Sequence, residues 1–202
     1  MEKKDNYRLQ AAHAKQLFLQ YDQHAIIRRC ALQADADYLY FSFLGAPYRI
    51  HRRSGDLTRL QNGHWTDGNS FHEVMTVLDW LCDSKHPRYA SGNWINIVSH
   101  GHYFHGELQE KKDPTALYFD QNPQVFCQAC QALGGEKHPS ADISYTIPFL
   151  DDLKILIQLW HGDEEFPPRL RLLWDENTHL YLRYETTWYA SALLLQRLAE
   201  QR

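Results

Sequence analysis

The sequence is short of what marks a nucleic-acid or membrane protein. Basic residues cluster only as dispersed pairs, Lys3-Lys4, Arg28-Arg29, Arg52-Arg53 and Lys111-Lys112. The 21 Lys and Arg are outnumbered by 25 Asp and Glu, for a formal net charge of −4. A nucleic-acid binder needs a basic stripe to replace the counterions of the phosphates, so nucleic acid is not an expected partner. No apolar run approaches the ~20 residues that cross a bilayer, and the charged opening Met1-Glu2-Lys3-Lys4-Asp5 leads into no apolar secretory segment. A membrane is therefore not an expected partner either. Cysteine is scarce: Cys30, Cys82, Cys127 and Cys130 in 202 residues do not make a disulfide framework. Free thiols in a reducing cytoplasm are the expectation.

The usual chemical signatures are missing too. There is no Gly-x-Gly-x-x-Gly, no phosphate-cradling Gly-Lys-Ser/Thr loop, no Gly-x-Ser-x-Gly elbow and no His-Glu-x-x-His. Nucleotide cofactors, serine hydrolysis of the α/β type and zincin chemistry lose their sequence support. No cofactor is indicated, and the balance leans away from an enzyme.

What is present is enough apolar residue, 44%, for a sizeable core, and a clear sequence of periodicities. Tyr7, Ala11, Ala14, Phe18 and Tyr21 recur at helical spacing, and a second short helix is expected over residues 23–31. Residues 38–44, aromatic and nearly all apolar, suit a strand buried on both faces. Gly45-Ala46-Pro47 turns the chain into a further strand over 48–53, and Ser54-Gly55-Asp56 turns it into residues 57–60. Ser70 and Glu73 form a Ser-x-x-Glu capping box, and Phe71, Val74, Met75, Leu78, Leu81 and Cys82 trace the apolar stripe of the helix it starts. A short strand is expected over 94–98 and a helix over 123–133, ended by Gly134-Gly135. Strands over 143–147, 153–160 and 170–174 precede a terminal helix from about Tyr184. No repeat, low-complexity tract or linker interrupts this order. The expected architecture is a single α+β domain over residues 1–202, a mainly antiparallel sheet packed with N-terminal, middle and C-terminal helices.

Three constellations have chemical content. The sharpest is Gly162-Asp163-Glu164-Glu165-Phe166-Pro167-Pro168, in which three consecutive carboxylates join two strands. They have the chemistry to ligate a hard cation through oxygen. Alternatively, one carboxyl kept neutral by the flanking Trp160, Phe166 and Trp174 would serve as a general acid. The structural alternative is a solvated turn in which Gly supplies an unusual backbone angle and two prolines stiffen the exit. In the second constellation, His100 and His102 would share one face of a strand with His105 folding over it, a metal-like grouping in a chain with 12 histidines. The third, Cys127-Gln128-Ala129-Cys130, has redox or zinc spacing, but both cysteines fall mid-helix on the apolar stripe and no second pair accompanies them. Buried core thiols are the expectation there. The abundant Trp and Tyr, Trp94 among them, fill a core or line a pocket for a flat small-molecule ligand.

Four ordered stretches resemble one known family. They are Phe43-Leu44-Gly45-Ala46-Pro47-Tyr48, then Gly92-Asn93-Trp94-Ile95-Asn96, then Phe126 onward to Ala132-Leu133-Gly134-Gly135. The fourth and most specific is Leu159-Trp160-His161-Gly162-Asp163-Glu164-Glu165-Phe166-Pro167-Pro168, with Leu173-Trp174-Asp175 behind it. Together they resemble the bacterial family catalogued as domain of unknown function 3786, across about residues 38–198. The resemblance implies no activity. Some relatives carry iron–sulfur domains of the corrinoid-protein type, whose cysteine motif this chain lacks. Where His100-Gly101-His102 and Cys127/Cys130 stand, the family tends to Pro-Gly-Gly and to small apolar residues, whereas the acidic loop is the family's own. The functional expectation is a small-molecule-binding or accessory module, with Trp160, Asp163, Glu164, Glu165, Phe166, Trp174 and Trp94 as candidate binding residues. The alternative is an enzyme or metal protein using the Asp163-Glu164-Glu165 loop or His100, His102 and His105.

Overall fold

A computed structural model describes residues 3–97 and 113–200. Its contacts divide the chain into two compact units, one of residues 1–89 with 179–194, the other of residues 90–178 with 195–202. The fold class is α+β, with antiparallel strands in two five-stranded sheets and helices around them. No described helix is long and apolar enough to cross a membrane.

The first unit opens with α1 (Lys3–Phe18) and α2 (Gln23–Cys30), the latter capped by the Asp22 carboxylate accepting from the His24 N–H. A simple antiparallel meander follows: β1 (Gln33–Ala34), β2 (Tyr38–Phe43), β3 (Ala46–His51), β4 (Leu57–Gln61) and β5 (His64–Asp67), neighbours in sequence being neighbours in the sheet. Leu44 and Gly45, both at positive φ, make the two-residue turn between β2 and β3, the geometry whose twist suits a tight hairpin.

β2 differs from the sequence reading. It alternates rather than being buried throughout, with Leu39 and Phe43 inside and Ser42 exposed. On the other face the Arg49 guanidinium lies 4.0 Å from the Tyr38 ring centre and 4.3 Å from that of Trp65. The aromatic residues that suggested a second buried face instead pack around a cation.

The inner face of this meander meets α3 (Phe71–Asp83). Its capping box forms as the sequence predicts, with Ser70 Oγ accepting from the Glu73 N–H and Glu73 accepting from the Ser70 N–H. Glu73 is buried, and its other oxygen accepts from the Tyr48 hydroxyl of β3 at 2.7 Å. One carboxylate thus starts the helix and ties it to the sheet. Further along α3, the buried Asp79 accepts from both the backbone N–H and the guanidinium of Arg183, which precedes α6 (Tyr184–Ala199).

The second unit carries β6 (Trp94–Ile95), α4 (Pro114–Gln121), α5 (Pro123–Ala132), β7 (Glu136–Lys137), β8 (Ile143–Leu150), β9 (Leu153–Trp160) and β10 (Arg169–Asp175), in sheet order β6-β10-β9-β8-β7. β8 runs through Pro148, where the pairing with β9 shifts register before Leu150. Apolar residues of β9, from Leu153 to Leu159, are almost completely buried. Phe126 of α5 stands edge-on to Tyr145 of β8 at 6.3 Å, and Phe119 of α4 packs on Phe126 at 5.1 Å. α5 is capped at Leu133, and Gly135 passes so close that a Cβ there would lie 2.6 Å from the Cys130 carbonyl oxygen of α5 and 2.7 Å from Ile147 Cδ1 of β8. At the far end of β10 the buried Asp175 accepts from the N–H groups of Ser91, Gly92 and Asn177 and from the Ser91 hydroxyl. Two of the stretches that carry the family resemblance, around Gly92-Asn93-Trp94 and Trp174-Asp175, are therefore one structural feature.

The Tyr48–Glu73 bond yields a stability prediction. Tyr48→Phe should cost about 1–2 kcal/mol by removing one hydrogen-bond donor from a buried carboxylate, and Ser70→Ala about 1 kcal/mol through the cap. Urea unfolding midpoints measure both.

Candidate functional site

The site is built on the hairpin of β9 and β10. Trp160 pairs with Arg169 as the last rung of the ladder, so residues 161–168 must reverse the chain across the distance between two adjacent strands. The sequence achieves this with one side chain. Asp163 Oδ1 accepts from the N–H groups of Glu165 at 2.8 Å and Phe166 at 2.7 Å, and the Asp163 N–H donates to the Phe166 carbonyl at 2.9 Å. Aspartate does this because its carboxylate reaches the backbone two and three residues on. Those two N–H groups hold the Asp163 carboxyl below the ordinary aspartate range, the opposite of what a neutral general acid requires. Gly162 completes the closure: a Cβ there would lie 2.6 Å from Pro168 Cδ and 2.9 Å from Pro168 N. Only glycine lets the exit proline pass so close.

The loop, with Leu117 and Asp120 of α4, lines an open groove of 640 Å³. Phe166 is 62% exposed there. The Glu164 and Glu165 side chains make no hydrogen bond or ion pair among the described residues, in contrast to Asp163. At the margin of the groove the Asp120 carboxylate lies 2.6 Å from His161 Nδ1. The His161 backbone N–H donates to the Asp142 carboxylate at 2.8 Å, fixing where the imidazole starts.

The sequence-predicted residues separate into those the groove gathers and those it does not. Asp163, Glu164, Glu165 and Phe166 line it. Trp160 ends β9, partly exposed, and is not a lining residue. Trp174 is buried in the second unit with its ring edge-on to Phe149 at 5.3 Å, so it packs a core. Trp94 belongs to β6, its ring 6.3 Å from that of His138. His100, His102 and His105 lie outside the described residues. Among the described residues no group of three or more His, Cys, Asp or Glu is arranged to hold a metal ion. Cys127 and Cys130 sit within α5, with Cys130 fully buried; burial drives the Cys130 thiol far above the ordinary cysteine range, and that of Cys82 up to about 12. Both are poor nucleophiles.

At the groove and beside it lie two residues that the sequence alone did not single out. Asp120 sits on α4, a helix that was not expected, and 41 residues separate it from His161. His161 lies inside the most specific stretch of the chain. Its place beside the tight passage at Gly162 was the available signal, but no spacing rule connects it to Asp120.

The family is now clear. The model described as Domain of unknown function (DUF3786) matches residues 22–197, and the chain belongs to that family. No curated protein and no solved structure matches the chain.

The contrast between Gly162 and its acidic neighbour predicts a sharp difference in tolerance. Gly162→Ala should cost about 2–3 kcal/mol, because the overpacked atoms include proline ring and backbone. Glu164→Ala should stay within about 0.5 kcal/mol. Chemical denaturation of the two variants checks both.

Proposed function

We propose that the chain is a small-molecule-binding module of bacterial metabolism whose ligand occupies the groove and carries a positive charge on an apolar body. The observation that carries this reading is the groove's balance of donors and acceptors. It presents the carboxylates of Asp120, Asp163, Glu164 and Glu165 beside Leu117 and the exposed ring of Phe166. Its own donors are largely spent: the N–H groups of Asp163, Glu165 and Phe166 are bonded within the loop, and Pro167 and Pro168 have none. A ligand that satisfies this surface must bring donors and charge, as an ammonium or guanidinium does, and an apolar portion for Phe166. An anion would meet repulsion and few free N–H groups. The four unpaired cysteines support placing this module in the cytoplasm.

The test is a calorimetric and thermal-shift screen with agmatine, spermidine, tyramine and benzyltrimethylammonium, set against benzoate and glucose. The expected result is that at least one cation binds and raises the melting temperature while benzoate does not. A Glu164→Gln/Glu165→Gln double variant should fold normally and bind that cation more weakly, and added salt should weaken it further. Affinity should fall as the pH is lowered, and Asp163 should keep its charge below the ordinary aspartate range because its backbone donors favour the ionised form. Binding that is indifferent to the double variant, or confined to anions, would overturn the assignment.

A further inference from the structure

We infer that Asp120 and His161 form a proton-accepting dyad serving the groove, so that the site moves a proton as well as binding charge. The inference rests on the groove being the binding site. Its basis is a set of three observations about one imidazole. First, Asp120 Oδ1 lies 2.6 Å from His161 Nδ1. An ionised carboxylate only accepts, so Nδ1 carries the hydrogen, and in the neutral ring the lone pair is on Nε2. Second, that ring nitrogen has no hydrogen-bond partner among the described residues, since His161 makes no side-chain bond other than the one to Asp120. The side chain is 42% exposed. Third, Asp120 holds the ring and Asp142 holds the residue's backbone N–H, and both Asp120 and the adjoining Gly162 line the groove.

A histidine held by a carboxylate, with its second nitrogen unbonded among the described residues and its neighbours lining a groove, is the arrangement that general-base chemistry uses. A structural ion pair would show the same Nδ1 contact, and the reactivity of Nε2 is what separates the two. The step is a simple transfer. An N–H or O–H bond of the bound ligand breaks, its proton forms an N–H bond at Nε2, and the bonding pair stays on the ligand, leaving a neutral amine or an anion. The imidazolium's charge is then stabilised by Asp120. The donor-poor lining offers no place to stabilise an oxyanion, which favours a ligand whose product is a free amine.

Acylation by diethyl pyrocarbonate reads Nε2 directly and needs no ligand. Its lone pair attacks the reagent carbonyl, forming ethoxycarbonyl-imidazole and releasing ethanol and carbon dioxide. The full-length protein is treated above the ordinary imidazole titration range and modification of each histidine is followed by peptide mass spectrometry. The internal reference is His64, exposed on β5 and without a carboxylate partner among the described residues. We expect His161 to react on the order of 3–10 times faster than His64, since part of the free energy of a carboxylate hydrogen bond surfaces as reactivity. Asp120→Asn should remove the excess and Asp120→Glu should restore part of it; if Asp120→Asn does not fold, the comparison within the native protein still decides. Equal rates for the two histidines, or an Asp120→Asn protein as reactive as the parent, would overturn the dyad. Where benzyltrimethylammonium binds in the screen, it should slow modification of His161 and leave that of His64 unchanged; binding without such protection would detach the dyad from the groove. Failure of every cation to bind, with His161 still fast, would strike the ligand assignment and not the base.

Discussion

The second unit's site depends on one clearance, the space at Gly162 that a methyl group would fill. The β9–β10 ladder ends at Trp160 and Arg169, and the chain has eight residues in which to turn. With Pro168 against the Gly162 Cα, the exit runs back beside the entry and the loop's middle is pushed outward, where Asp163 can take the N–H groups of Glu165 and Phe166. That arrangement in turn places Phe166 and the two glutamates over α4, and leaves His161, the residue before the clearance, facing Asp120. Groove and dyad are consequences of the same tight passage.

Acidity in this chain has a different meaning from the one net charge suggests. Most of the aspartates whose contacts are seen hold backbone. Asp22 and Asp113 cap helices, Asp142 fixes the His161 N–H, Asp152 takes the N–H of Ala90, and Asp175 gathers three N–H groups in a buried pocket. Glu73 does the same at α3 while also binding Tyr48. Such carboxylates replace the water that loop N–H groups would otherwise need. The loop's three carboxylates therefore divide: Asp163 belongs with the structural set, and Glu164 and Glu165, bonded to nothing described, do not.

That division was only partly legible in the sequence. Elements with strong local codes read well. The capping box placed α3, and the long apolar run bounded by turn residues placed β9 at its observed ends. The short edge strands β1, β5 and β7 carry too few residues for a period to emerge, and their existence follows from pairing with neighbours. α4 has a polar and aromatic mixture without a strong stripe, so Asp120 had no element to belong to. β2 looked buried on both faces because Tyr38 and Tyr40 are apolar by composition, yet Tyr38 covers a cation from β3 and the Tyr40 hydroxyl donates to Asp35. The loop itself was recognisable, but its inner assignment was not, since Asp163, Glu164 and Glu165 differ in sequence by one methylene and in structure by which backbone groups lie within reach.

The stretches that define the family can be sorted by the same test. Leu44-Gly45 make a tight hairpin, Gly135 passes under a carbonyl, Gly92 donates to Asp175, and Gly162 admits a proline. Each is a backbone requirement, and together they account for glycine's prominence in the resemblance without any ligand. What they leave over in the longest stretch is His161, Glu164, Glu165 and Phe166. None of these side chains closes the turn: the His161 N–H goes to Asp142, the glutamate side chains bond nothing among the described residues, and the Phe166 ring is turned to solvent. A carboxylate–imidazole pair, two carboxylates bonded to nothing described and an exposed ring are what remains once the fold has been explained, and all but the imidazole line one groove.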